Sequence, residues 1–284
     1  MTLKISIITA VYNRANTISS AITSVRHQTY SDVEHVVIDG ASSDGTLSIL
    51  QNIVHEFQEI ILVSEPDSGI YDALNKGIAL ATGDVIGLMH SDDFFADQRV
   101  LESVAKAFAD DKVDAVYGDL MYVSKDDPSQ VIRFWQAGEF LPSKLNQGWM
   151  PPHPTLFFRR KVIEQWGGYD TRYQISADYD CILRYFGKGQ INAKYISRVI
   201  VKMRLGGESN RSLGRIFRKS KEDYLALRRN NIGVMWQKVE AMEKEVAEMR
   251  SDIKELLAMA NKGRGGFLIS DYNQITIRYE IPRK

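Results

Sequence analysis

The chain has 284 residues, with 36 basic and 36 acidic side chains, 44% apolar and 25% charged residues. That is the make-up of an ordinary globular protein, not of a disordered, collagen-like or disulfide-built one. A single cysteine, Cys181, excludes an internal disulfide and points to a reducing, cytoplasmic compartment; no apolar run approaches the ~18 residues of a membrane span, and the N-terminus turns polar too early for a signal peptide.

Leu3–Thr9 is rich in β-branched residues and predicts a buried strand. Asn16–Gln28 follows as a helix, with Ile18, Ala21, Ile22 and Val25 at helical spacing. Val33–Asp39 is a strand that runs into a Gly-Ala-Ser-Ser-Asp-Gly turn; Thr46–Phe57 is a helix, Ile60–Ser64 a strand and Tyr71–Ala81 a helix. Val85–Met89 is a strand followed by His90-Ser91-Asp92-Asp93, then Arg99–Phe108 a helix and Val113–Tyr117 a strand. Pro142–Thr155, with four prolines, reads as a long loop. Arg159–Trp166 and Asp178–Phe186 read as helices, Ile191–Met203 as a strand region and Asn210–Asn231 as a basic helix. Strands alternating with helices predict an α/β fold whose mainly parallel central sheet is covered on both faces.

Ligands of such sheets sit at the carboxyl ends of the strands, and Asp39, Asp67, Asp92 and Asp93 all follow predicted strands closely. Adjacent carboxylates at a strand end suit a hard divalent cation, Mn²⁺ or Mg²⁺, shared with a diphosphate; the same pair could cap the next helix. Asp39 could accept from a base or a ribose hydroxyl, or serve its Asp-Gly turn. Asp67 could do likewise, or cap the Tyr71 helix. Tyr12 could lie against a base. Lys76 could neutralise phosphate, Trp149 could offer a sugar platform, and His153 could hydrogen-bond the diphosphate or donor sugar, each with an ordinary structural role as the alternative. There is no HExxH, P-loop or GxGxxG.

Taken in order, the stretches ISIITAVYNRANTISSAITSVRHQTYSDVEHVVIDGASSDGT, SEPDSGIYDALNKGIALATGDVIGLMHSDD, HPTLFFRRKVIEQWGGYD and ISADYDCILRYF resemble the inverting glycosyltransferase family 2, closest to the bacterial enzymes that build exopolysaccharide and O-antigen units. The resemblance runs from residue 4 to about 186 and weakens towards 235. It implies a GT-A, Rossmann-like fold that binds a nucleotide-sugar. It implies that Tyr12, Asp39 and Asp67 hold the nucleoside, with Asp39 on the base. Ser91-Asp92-Asp93 matches the metal motif, with Asp93 as ligand and Asp92 near ribose and diphosphate; Ser91 departs from the family's first Asp. Asp178 matches the catalytic base, while Ala177 stands where the family has Glu, which leaves Asp178 and Asp180 as competing choices. The implied activity is metal-dependent transfer of one sugar, expected from a UDP-linked donor, to a hydroxyl of a saccharide or lipid-linked acceptor; the processive QxxRW motif is absent. A sugar nucleotidyltransferase, which would want a Gly-rich, basic signature after the first strand, and a non-catalytic nucleotide-sugar scaffold are the competing readings.

Residues 1–200 carry 18 basic and 25 acidic side chains, residues 201–284 carry 18 and 11. The division expected is a catalytic domain over 1–210, a basic helix over 211–236, a heptad helix over 237–262, and a linker with a terminal strand over 263–284. The basic helix suits an anionic membrane surface or a solvated face. Val239, Met242, Val246, Met249, Ile253, Leu256 and Ala260 form a heptad seam that predicts a homo-oligomer, a parallel dimer above all.

Overall fold

The computed structural model describes residues 3–145, 148–205 and 213–232. The chain starts with strand β1 (Ile5–Val11), whose seven residues are all buried. Helix α1 (Ile18–Arg26) leads to β2 (Val33–Asp39), α2 (Thr46–Glu56) to β3 (Ile60–Ser64), and α3 (Ile70–Leu80) to β4 (Val85–Leu88). After β5 (Phe94–Phe95) and α4 (Val100–Ala107) come the long strand β6 (Ala115–Val123) and its hairpin partner β7 (Val131–Trp135). A short helix α5 (Pro142–Leu145), a 3₁₀ turn (His153–Thr155), β8 (Phe157–Arg159), α6 (Arg160–Trp166) and α7 (Ala177–Ile182) follow. α7 runs on as a π-turn (Leu183–Lys188) before β9 (Ala193–Arg204) and α8 (Leu213–Asn230).

The described strands form one mixed sheet in the order β3-β2-β1-β4-β8-β6-β9-β5, with β7 hydrogen-bonded to β6. β1, β2, β3 and β4 are mutually parallel, as their alternation with helices predicts. Beyond β4 the sheet departs from a parallel plan, because β8 pairs antiparallel with both β4 and β6. β5, β8 and β7 have two, three and five residues, too short for a two-residue period to stand out from noise. No strand is accordingly expected at β8 from sequence, and only its last residue, Arg159, falls in the helix expected over Arg159–Trp166.

β1 lies between β2 and β4, so the strand order reverses there. The carboxyl ends on either side of such a reversal open into a crevice. Helix α3 lies tight on the strands beneath it: a Cβ added to Gly77 would come 2.3 Å from Ile8 Cγ2. This close approach brings the N-terminus of α3, with Tyr71, to the edge of the crevice. The opposite end of the sheet is closed by Glu34, whose carboxylate accepts from Ser6 (2.6 Å), Lys4 (2.9 Å) and both the hydroxyl and amide of Thr82. Burial alone would raise this carboxyl's pKa, and those hydrogen bonds outweigh it and draw it down to about 2. The heptad segment and terminal strand lie outside the described residues.

His35, in the centre of the sheet, is fully buried; its Nε2 pairs with Thr9 Oγ1 at 3.0 Å and its Nδ1 has no partner. Burial, aided by the charge of Arg26, lowers its pKa to about 3. An unfolded chain protonates this imidazole near pH 6.5 and the fold does not until about 3, so the unfolded state holds the extra proton between those values. Stability should therefore fall as pH drops from 7 to 5, by up to about 1.4 kcal/mol per pH unit for one imidazole. Denaturant titrations should show a shallower pH dependence in His35→Gln; an unchanged slope would contradict the assignment.

Candidate active site

The loops that leave β1 and β2 are laced together. Asn13 N–H donates to Ser42 Oγ at 2.9 Å, Arg14 N–H to Thr46 Oγ1 at 2.8 Å, Ala15 N–H to Asp44 at 3.1 Å, and Ser43 N–H to Asn13 Oδ1 at 2.9 Å. Asn13 takes φ 51° to allow this, a left-handed conformation that asparagine tolerates better than most residues. Tyr12 stands exposed at the tip, with 58% of its surface free. Asp39, at the end of β2, is fully buried and accepts from Ser64 Oγ at 2.7 Å and Ser42 N–H at 3.1 Å. Asp67 lies directly over Gly40, where an added Cβ would meet its Oδ2 at 2.4 Å. Tyr12, Asp39 and Asp67 thus share the β1–β3 end of the crevice.

Asp92 and Asp93 follow β4. Asp93 is 1% exposed; its Oδ1 accepts the Arg204 N–H at 3.1 Å and its Oδ2 has no partner. Burial, with the charge of Asp92, pushes its pKa well up. A buried polar atom left unpaired costs about 1–3 kcal/mol, and among the described residues nothing pairs with this oxygen. Two guanidinium groups flank the pair. Arg14 Nε stands 4.0 Å from Asp92 Oδ2. Arg204 donates to the Asp92 carbonyl at 2.6 Å and to Ser20 Oγ at 3.0 Å, with its Cζ 4.5 Å from the Phe94 ring centroid. Neither arginine stands out in the sequence: one lies in the loop after a strand, the other ends a strand 111 residues from the carboxylate its amide reaches.

Asp178 sits in the first turn of α7. Its Oδ1 accepts the Tyr179 N–H at 2.8 Å and lies 3.4 Å from the Tyr71 hydroxyl; among the described residues nothing hydrogen-bonds Oδ2. Burial raises its pKa, against the opposing effects of the Tyr179 N–H, Lys219 and the Tyr71 hydroxyl. Asp180, the competing choice, points elsewhere. It is 4% exposed, paired with Arg184 at 2.8 Å and bonded by Asn230 at 2.9 Å, a carboxylate wholly occupied in holding α7 to its neighbours.

A wall of rings joins the two groups of carboxylates. The half-buried His90 feels the charges of both Asp92 and Asp178; burial lowers its pKa and these two charges oppose that. Its ring lies 6.1 Å from that of His153, whose Nε2 is 2.9 Å from the Tyr169 hydroxyl. Tyr169 stacks on Tyr71 at 5.6 Å, and Tyr71 reaches Asp178. His90, Tyr71 and Tyr169 were not singled out from the sequence, since an aromatic or a histidine beside a strand end carries no signal until the fold brings it to a carboxylate.

Three of the sequence candidates have other partners. Lys76 gives its charge to Glu65 at 2.8 Å and Asp72 at 3.6 Å, and donates to the Pro66 carbonyl. Trp149 donates its indole N–H to the Ala137 carbonyl at 3.2 Å and stacks on Phe140. His153 is 8% exposed, and burial drops its pKa to about 3. Its ring stays neutral, with Nε2 engaged by the Tyr169 hydroxyl at 2.9 Å.

Residues 6–167 match the sequence profile of glycosyl transferase family 2. The chain belongs to this family. The PGL/p-HBAD biosynthesis glycosyltransferase Rv2957 of Mycobacterium tuberculosis is 31% identical over 217 residues, which cover 75% of this chain and 82% of the relative. Among solved structures, the mannosyltransferase PcManGT from Pyrobaculum calidifontis, in complex with GDP-Man and Mn²⁺, superposes with a TM-score of 0.61 at 21% identity over 81% of this chain. S. aureus TarS 1–349 with UDP-GlcNAc superposes at 0.61 and 16% identity over 80% of it. The chain spans 64% and 65% of those two solved chains. The likeness establishes the GT-A fold.

Proposed function

We propose that the chain is an inverting glycosyltransferase that moves one sugar from a nucleoside diphosphate donor, UDP-linked in the first instance, to a hydroxyl of a saccharide or lipid-linked acceptor in glycan synthesis. The observation that carries this reading is that His90 feels the charges of both Asp92 and Asp178, which brings the buried Asp93, with its partnerless Oδ2, and the half-buried Asp178 to one ring-lined crevice. Asp39 and Asp67 would receive the base and ribose, with Tyr12 free to close over them. A diphosphate beside Asp92 and Asp93 meets like charge, which Arg14 and Arg204 offset at the distances seen.

The partnerless Oδ2 of Asp93 fits a divalent cation, with Asp92 beside it. No cluster of three or more His, Cys, Asp or Glu side chains exists among the described residues, so a cation here would share its remaining positions with phosphate oxygens and water, as Mg²⁺ commonly does. Mn²⁺ or Mg²⁺ held by Asp93 would stabilise negative charge on the departing diphosphate.

Asp178 Oδ2 takes the proton of the acceptor hydroxyl. That oxygen forms its bond to the anomeric carbon as the carbon–oxygen bond to the diphosphate breaks, and the diphosphate leaves with the electron pair. A single displacement inverts the anomeric centre. The Tyr179 N–H holds Oδ1 at 2.8 Å, which leaves Oδ2 for the acceptor. Burial makes the carboxylate more basic than an exposed aspartate.

No helix among the described residues is long and apolar enough to cross a membrane. α8 nevertheless presents Phe217, 76% exposed, with Lys221 and Arg228 exposed on the same side of the helix, a face that suits peripheral contact with the anionic surface carrying a lipid-linked acceptor. Each basic residue there is worth about 1 kcal/mol. Flotation with phosphatidylserine vesicles at low salt should recover the protein and lose it at high salt; no recovery at low salt would remove the membrane reading.

Asp178→Asn should lower transfer by ~10²–10⁴-fold while donor binding and Tm hold. Asp180→Asn should instead lower Tm, since an orphaned buried partner costs about 3–5 kcal/mol. The acid limb of kcat/KM should lie above the ordinary aspartate pKa, because the base works only when ionised and burial raises its pKa. An Asp178→Asn enzyme with near-wild-type turnover would remove the base assignment.

A further inference from the structure

α8 carries two acidic residues in its basic sequence, and one of them is turned inward. Glu222 is 9% exposed, and its Oε2 alone accepts the N–H groups of Gln174, Ile175 and Ser176 at 3.1, 2.8 and 3.0 Å. Three consecutive amides converging on one oxygen form an anion-binding concavity, here filled from 46 to 48 residues away in sequence. These amides lie immediately before α7. Ser176, at the N-cap position, makes no side-chain cap of its own, and its Oγ has no partner. The start of the helix that bears Asp178 is therefore set by Glu222 and not by a local cap.

The same short segment is gripped from the other side. The Tyr71 hydroxyl donates to the Ile175 carbonyl at 2.5 Å. α8 adds further ties: Arg218 donates to the Gln174 side chain, Arg229 to the Tyr173 hydroxyl at 3.2 Å, and Asn230 to Asp180 at 2.9 Å. Lys219 and Asp223, paired with each other at 2.5 Å on either side of Glu222, act on the Asp178 carboxyl with opposite signs.

We propose that Glu222 is a positioning residue for transfer: its carboxylate fixes the backbone of residues 174–176 so that Asp178 faces the acceptor hydroxyl, which makes α8 a working part of the catalytic unit. The proposal rests on the reading of Asp178 as the base. Charge-assisted hydrogen bonds are about twice as strong as neutral ones, and a displacement of about 1 Å at a reacting group can cost 10²-fold in rate.

The test is steady-state transfer kinetics on the full chain, with donor affinity from UDP titration and amide hydrogen exchange at residues 174–176. Glu222→Ala should lower kcat by about 10–10²-fold, leave the UDP affinity and donor KM within about twofold, and speed exchange of the three amides. Glu222→Gln, which keeps an acceptor at the same reach, should restore most of kcat. If Glu222→Ala does not fold, Glu222→Asp carries the test, since it keeps the charge but falls one methylene short of the amides; it should show the same split between kcat and KM. Wild-type kcat in Glu222→Ala, or in Glu222→Asp where the alanine variant is unfolded, overturns the proposal provided Asp178→Asn is inactive. So does a Gln variant no better than Ala. An active Asp178→Asn overturns the base reading itself, and is told apart by that variant alone.

Discussion

Asp93 and Asp178 are two carboxylates with incomplete hydrogen bonding: Asp93 is buried and its Oδ2 has no partner among the described residues, and the half-buried Asp178 accepts through Oδ1 alone. Asp93 and Asp178 are both raised in pKa by burial, which means that folding alone gains nothing from ionising them there. Glu34 shows what the same chain does with a structural carboxylate: it surrounds it with donors, and the pKa falls to about 2. Asp180, a few residues from Asp178, is likewise saturated by Arg184 and Asn230. The difference in partners separates Glu34 and Asp180 from Asp93 and Asp178.

The sheet supplies the geometry. Its order reverses at β1, so the ends of β1, β2 and β4 open on one crevice. Laced loops keep the first two ends together, while Arg204 reaches back from β9 to Asp93. The segment before α7 is held between Tyr71 of α3 and Glu222 of α8. A wall of rings from His90 to Tyr71 connects the halves. In the proposed reaction, small displacements in either half would change the separation of donor and base.

Much of this was legible in the order of residues. The parallel half of the sheet could be read because β1 and β2 are buried on both faces, and their β-branched runs stand out between amphipathic helices. Val33–Asp39 and Ile60–Ser64 fall where that pattern puts them. Asp39, Asp67, Asp92 and Asp93 could be read because each follows a strand. What escaped has no local signature. β8 is three residues long, and the choice between Asp178 and Asp180 depends on a guanidinium and an amide contributed by other turns of the fold. Lys76, Trp149 and His153 carried the right chemistry for a sugar site, but each has a protein partner invisible at that level. Glu222 stands beside Asp223 in a basic helix, and only the tertiary structure turns it onto three amides.

The most direct test of this account is calorimetric titration of the wild-type protein and Asp93→Ala with UDP, each with Mn²⁺ and with EDTA. If the partnerless oxygen of Asp93 is kept for a cation shared with the diphosphate, wild-type affinity should rise by at least tenfold with Mn²⁺, about 1.4 kcal/mol, and the variant should lose that gain while keeping its EDTA affinity. Equal metal-dependent gains in both proteins would contradict it.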